Sequence, residues 1–195
     1  MELYQGALDK LNRLLTEARA HGTETAEAAS LATADTSGRP SIRMITVLAV
    51  EPEGLLFFVN IQSGKGHQLI DNPRASLCFY WPLMQEQVII EGDVEKQAEA
   101  VSDQYWHRRM RESQLAAWAS EQSAPIPGKE ALQEQVRSYK SKFDFDKVAR
   151  HENWHAFRIV PDRMEFWPTG WQRLHERVRY LRSADGEWRM EKLSP

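Results

Sequence analysis

Residues 41–60 read Ser41-Ile-Arg-Met-Ile-Thr-Val-Leu-Ala-Val-Glu-Pro-Glu-Gly-Leu-Leu-Phe-Phe-Val-Asn60. Two β-rich runs, 41–50 and 55–60, flank Glu51-Pro-Glu-Gly54, whose proline and glycine favour a turn. The same grammar continues outward. Upstream, 30–34 is a short β-rich run separated from the first by DTSGRP. Downstream, 75–81 and 87–95 follow, joined by PLMQE, with a short helix-like piece near 66–70. Closely spaced strands with turn signals between them predict an antiparallel barrel or sandwich.

The flanks add helices. Leu3, Ala7, Leu8, Leu11, Leu14, Leu15 and Ala18 recur at three-and-four spacing before Gly22, which predicts a helix over 1–22. Helical character returns over 97–120 and 128–144, interrupted by SAPIPG, whose two prolines break any continuous helix. Strands resume at 155–161, 163–167, 176–182 and 188–193, with Asp185-Gly186 as a hairpin turn between the last two. With strands at both ends, 1–195 is expected to form one domain in which the terminal strands (155–195) complete the sheet and 97–144 is a helical excursion.

Composition narrows the function. A length of 195 residues, 42% hydrophobic and 27% charged, is that of a soluble globular protein. The net charge of −3 gives no basic footprint for nucleic acid. No apolar run approaches a membrane span, and the opening MELYQGALDKLNRLL lacks the basic region of a signal peptide, so no membrane association and a cytoplasmic location are expected. A single cysteine, Cys78, excludes an internal disulfide framework and reads as a small core residue. Seven Trp and seven Phe suit a large core or a stacking pocket for a planar ligand.

Several clusters carry possible chemistry. His151-Glu-Asn-Trp-His155 fits H-E-x-x-H, but that pattern holds zinc only on a helix, and here it runs directly into an alternating strand pattern. In an extended chain the two histidines stand about 13 Å apart. No metal is expected. Ser63-Gly-Lys-Gly-His-Gln68 is either a phosphate cradle with Lys65 as its cation or an ordinary glycine-rich connection. Tyr105, Arg109 and Ser113, spaced four and four, make one stripe on a continuous helix. That stripe is either a solvated face or a phosphate grip of two hydroxyls and a guanidinium. Arg108 and Arg111 crowd the same stretch. Arg43, Gln87 and Gln122-Ser123 are polar groups at strand and helix ends. In Gly170-Trp-Gln-Arg-Leu-His-Glu-Arg-Val-Arg-Tyr180, strand alternation puts Arg173, His175, Arg177 and Arg179 on one face, where either water or an anion must answer them. Together these groups suit a small anionic ligand better than a polyanion.

The order RMITVL, FFVN, SGKGHQ, NPRASLCFYW, QEQVIIEG, Y-x-x-x-R-x-x-x-S, WASEQS and EFW followed by RLHER resembles the pyridoxine/pyridoxamine 5′-phosphate oxidase family over about 28–195. The resemblance implies an α+β fold, mainly β with peripheral helices: an antiparallel FMN-binding split β-barrel. It implies a homodimer with FMN at the subunit interface, held by Arg43, Met44, Ile45, Thr46, Val47, Leu48, Phe58, Val59, Lys65, Gln87, Gln122, Ser123, Trp167 and Arg177. Tyr105, Arg109 and Ser113 would grip a phosphorylated substrate, with Arg173 and His175 at its ring as catalytic residues. The implied reaction oxidises pyridoxamine or pyridoxine 5′-phosphate to pyridoxal 5′-phosphate while dioxygen becomes hydrogen peroxide. Leu48 stands where vitamin B6 oxidases carry a lysine. That departure keeps two alternatives open: a flavin oxidase of another substrate, such as a dihydro-phenazine-type aromatic acid, and a non-catalytic FMN- or pyridoxal-phosphate-binding protein.

Overall fold

The computed structural model describes residues 2–144, 147–168 and 177–194. Helix α1 (Glu2–Ala20) is followed by strands β1 (Ala28–Ala34), β2 (Pro40–Glu51) and β3 (Gly54–Asn60), then by α2 (Gly64–Asp71), β4 (Arg74–Trp81) and β5 (Glu86–Lys96). Three helices follow, α3 (Glu99–Trp106), α4 (Arg111–Ala119) and α5 (Lys129–Phe143), and then β6 (Trp154–Pro168), β7 (Arg177–Arg182) and β8 (Trp188–Leu193). Neighbours in the sheet run β3-β2-β1-β4-β5-β6-β7-β8, all antiparallel, and β3 also pairs with β6. Six strands therefore close into a barrel, and β7–β8 extends from it as a hairpin. Of the two sequence-level options, this is the barrel.

Closure depends on one long strand. The two runs expected at 155–161 and 163–167 are continuous as β6, whose first half pairs with β3 and whose second half pairs with β7. Pro161 does not end the strand because a bulge absorbs it. Gly92 faces Pro161 and Glu91 faces Arg163, which leaves Asp162 as the extra residue, and its carboxylate accepts from Arg74 at 2.6 Å. The close approach also requires a glycine at 92, since a Cβ there would lie 2.0 Å from the Val160 carbonyl oxygen. Gly92→Ala is expected to cost about 1–3 kcal/mol, the range of core overpacking. Urea denaturation with an unchanged midpoint would contradict it.

The apolar stripe of α1 (Ala7, Leu8, Leu11, Leu14, Leu15 and Ala18) joins the barrel core of Phe57, Phe79, Trp81 and Phe166. Gly22, at φ +85°, ends this helix, as its position after the periodic leucines predicts. A second, smaller core of Trp106, Leu115, Val148 and Trp154 belongs to the helical excursion and packs against Phe58 and Tyr105.

The helix expected over 97–120 is broken. Residues 107–110 separate α3 from α4, and Met110 is extended at φ −58°, ψ 141°. The freed end is satisfied from within, because the buried Gln114 side-chain amide donates to the Trp106 carbonyl at 2.7 Å. A helix end that finds its partner this way has no need to propagate.

Candidate functional site

A cleft of ≈ 1030 Å³ lies between the outer side of β2, the end of β3 and the helical excursion. Alternation along β2 sets one wall. Ile42, Met44, Thr46 and Leu48 point outward, while Val47 is buried in the barrel. The opposite wall comes from Tyr105, Arg108, Arg109 and Ser113 around the 107–110 break, with Leu132 and Val136 from α5. The aromatic floor is continuous. Trp154 stacks on Phe58 at 4.1 Å and nearly parallel, and Phe58 meets Tyr105 at 5.2 Å.

The helix break thus corrects the premise of a single stripe yet keeps its outcome, since Tyr105, Arg109 and Ser113 all line the cleft. The Arg109 guanidinium lies over Trp154 at 4.9 Å and Trp106 at 5.4 Å and donates to the Ser113 carbonyl at 3.3 Å. Burial disfavours its charge. Lys65, Arg108 and Arg109 line the cleft, and no aspartate or glutamate does so among the described residues.

At the other end of the cleft sits the N-terminus of α2. Ser63 caps it, its Oγ accepting from the Gly66 N–H at 3.3 Å. Lys65 Nζ donates to Gln122 Oε1 at 2.8 Å and Ser63 Oγ at 3.3 Å, and the Gly64 N–H donates to Ser123 Oγ at 3.4 Å. Ser123 adopts φ +77°, a costly conformation for serine that brings the 120–123 turn against α2. Burial and the nearby charge of Arg43 both lower the pKa of Lys65. Among the described residues, Arg43 has only neutral partners: Thr33 Oγ1 at 2.6 Å, the Leu31 carbonyl at 3.2 Å and Gln68 Oε1 at 3.4 Å. Two neighbouring half-buried cations, with no carboxylate between them among the described residues, fit a bound anion such as the phosphate of FMN.

Of the residues assigned to cofactor or substrate from sequence, the cleft gathers Met44, Ile45, Thr46, Leu48, Phe58, Lys65, Tyr105, Arg109, Ser113 and Gln122, with Arg43 and Ser123 beside it. Val47 and Val59 are not brought in, because alternation turns their side chains into the barrel core. Gln87, Trp167 and Arg177 form a separate patch. Gln87 pairs with Trp167 across β5–β6, and the Arg177 guanidinium covers the Trp167 ring at 4.8 Å. Arg173 and His175 lie outside the described residues. The H-E-x-x-H stretch is not helical: His155 is buried within β6 beside Glu99, whereas His151 lines the cleft.

Sequence reasoning missed Trp154 and His151 as cleft residues because both were read only through the zinc pattern. His151 Nδ1 accepts from the Asn153 N–H at 3.1 Å, which leaves the ring proton on Nε2. Burial lowers its pKa, with Glu152 partly opposing, and this favours the neutral donor form.

Barrel and cleft together define a six-stranded antiparallel barrel whose outer wall and flanking helices enclose a cleft lined by Lys65, Arg108 and Arg109. Comparison with known proteins places it further. A family model described as pyridoxamine 5′-phosphate oxidase matches residues 15–143, and one described as pyridoxine 5′-phosphate oxidase C-terminal dimerisation region matches 154–195. The chain belongs to the pyridoxamine 5′-phosphate oxidase family. It is 43% identical to the pyridoxine/pyridoxamine 5′-phosphate oxidase of Anaeromyxobacter dehalogenans, over 93% of this chain and 91% of that one. Identity to the enzyme of the same name from Coxiella burnetii is 41%, over 100% and 98%. Among solved structures, PhzG from Burkholderia lata 383, in complex with tetrahydrophenazine-1-carboxylic acid, superposes with a TM-score of 0.90 at 29% identity, over 96% of this chain and 91% of that one. No helix among the described residues is long and apolar enough to cross a membrane.

Proposed function

We propose that the protein is an FMN-dependent oxidase of pyridoxamine and pyridoxine 5′-phosphate. The observation that carries this reading is the cleft itself: an aromatic-floored space with Lys65 at one end, Tyr105, Arg109 and Ser113 at the other, and no lining carboxylate among the described residues. One cationic end suits the flavin phosphate and the other the substrate phosphate, with planar rings between them. Arg43, Lys65, Gln122 and Ser123 would hold FMN, and the apolar wall of Met44, Ile45 and Leu48 would lie along its ring. Bound FMN supplies the two-electron redox chemistry, accepting hydride equivalents from the substrate carbon and returning them to dioxygen. In balance, pyridoxine 5′-phosphate and dioxygen give pyridoxal 5′-phosphate and hydrogen peroxide. The amine substrate additionally takes up water and releases ammonia.

The protein's own task is positioning. Tyr105, Arg109 and Ser113 fix the substrate by the group that does not react. Arg173 and His175, carried over from the family resemblance, are assigned to the reacting ring.

The same reading includes a homodimer, which the match of residues 154–195 to a dimerisation-region model supports. The outer face runs from Met44 across Ser30, Cys78 and Tyr80 to Gln87 and Trp167, since cross-strand partners share a face. Ile42, Met44 and Tyr80 on it are 71%, 63% and 55% exposed, a large apolar area for a free surface. Packing two copies along this face would bring the Gln87, Trp167 and Arg177 patch of one protomer toward the cleft of the other.

The purified protein is expected to be yellow, to release FMN on denaturation and to elute as a dimer. It should also release hydrogen peroxide with pyridoxamine 5′-phosphate. A colourless protein that cannot be reconstituted with FMN would overturn the reading. The second reading, an aromatic acid as substrate, is favoured by Leu48, which makes the wall apolar at that point. Turnover of a dihydro-aromatic acid without turnover of the phosphorylated substrates would establish it instead.

A further inference from the structure

We infer that Arg108 is the second cation of the substrate's anion site, and that with Arg109 it selects a dianionic phosphate monoester over a monoanionic carboxylate. The inference rests on the functional reading above and names what that site discriminates.

Three observations carry it. First, Arg108 and Arg109 both line the cleft although they are adjacent in sequence. In a continuous helix, neighbouring side chains diverge by about 100° and could not both do so. The break at 107–110 makes it possible, with the Arg108 and Arg109 amides donating to the Tyr105 and Trp106 carbonyls in tight turns, each at 3.1 Å.

Second, neither guanidinium has a carboxylate partner among the described residues, although other arginines of the excursion are satisfied. Arg111 donates to the Asp144 carbonyl and Arg137 pairs with Glu134. Arg108 lies over the Tyr105 ring at 5.1 Å, and Arg109 over Trp154 and Trp106. Stacking on aromatic faces holds each cation in place without neutralising it.

Third, the facing wall offers no charge: Met44, Ile45 and Leu48 are apolar. The positive charge at this end of the cleft is therefore concentrated at the α3–α4 connection. Two permanent charges, flanked by the Tyr105 and Ser113 hydroxyls, match the two charges and several oxygens of a phosphate monoester. A carboxylate would leave one guanidinium unanswered.

The test uses the FMN-loaded enzyme. Arg108→Ala should raise KM for pyridoxamine 5′-phosphate and weaken equilibrium binding of pyridoxal 5′-phosphate, each about ten- to hundredfold, the worth of a charge-assisted hydrogen bond. The value of kcat should stay within about twofold, because binding common to ground and transition states is lost. Binding of tetrahydrophenazine-1-carboxylic acid should change less than about threefold, and Arg108→Lys should recover part of the phosphate affinity. Arg13→Ala, which removes a distant surface charge, should leave all of these unchanged. Pyridoxal 5′-phosphate affinity within about threefold of wild type in Arg108→Ala, or an equal loss for phosphate and carboxylate ligands, would overturn the inference. Wild-type enzyme that neither binds pyridoxal 5′-phosphate nor oxidises pyridoxamine 5′-phosphate would overturn the functional reading itself, a result distinct from the first.

Discussion

Arg109→Ala is expected to lower kcat/KM for pyridoxamine 5′-phosphate by about a hundredfold or more, nearly all of it through KM. The guanidinium is half-buried, flanked by Trp106 and Trp154, and fixed by its bond to the Ser113 carbonyl. Burial without a counter-charge is unfavourable for it in the free enzyme, so an arriving dianion removes a standing penalty as well as adding hydrogen bonds. Two bonds to one phosphate, each about 1.5–3 kcal/mol, put the loss at about 3 kcal/mol or more, which is about two factors of ten. Arg109→Lys should restore only part of it, because an ammonium cannot present the same fork or stack on the two indoles. A melting temperature close to wild type would separate this effect from unfolding. A KM that moved less than about threefold in a well-folded variant would place the phosphate elsewhere.

This site was partly legible in the sequence, for reasons that differ by residue. Alternation in 41–60 is a local property, so β2, β3 and the turn between them follow from it directly. The stripe of α1 and the Asp185-Gly186 hairpin are legible on the same ground. Breaks and continuities set by distant partners are not. The α3–α4 interruption depends on Gln114 reaching Trp106, and the unbroken β6 depends on Gly92 in another strand. The site is least local of all. Lys65 and Gln122 are 57 residues apart and meet only because a strained turn at Ser123 returns to α2. Neither spacing nor charge pattern predicts that meeting, and the family resemblance supplied it. The resemblance assigns the cleft and the group of Gln87, Trp167 and Arg177 to one flavin at a subunit interface, and within one protomer the fold keeps the two apart. His151 and Trp154 were missed for another reason: a strong motif match hid their ordinary role as walls of a cleft.

The largest stability effect is expected at the second patch. Glu165 is 1% exposed and accepts from Arg177 Nε at 2.9 Å and Arg163 Nη2 at 3.1 Å. Arg163 also reaches Glu91 at 3.2 Å. Glu165→Ala would leave two cations clustered on one sheet face. Breaking a buried pair on one side costs about 3–5 kcal/mol. The lower end applies here, because the Arg163 and Arg177 side chains remain 30% and 25% exposed and can turn to water. The pH dependence has a definite sign. Burial raises the Glu165 pKa, but the hydrogen bonds and charges of Arg177 and Arg163 outweigh it and hold the carboxyl below its usual value. Its stabilisation is therefore complete above the unfolded-state pKa of about 4.3 and is lost as pH falls through the lower folded value. Urea denaturation of wild type and Glu165→Ala should differ fully at neutral pH and converge in strong acid. A gap below about 1 kcal/mol at neutral pH, or one that widened with acid, would contradict the assignment. The same variant bears on function. If Arg177 reaches the flavin of the partner protomer, releasing it from Glu165 should also weaken FMN binding, and flavin fluorescence titration of the folded variant would register that loss separately from stability.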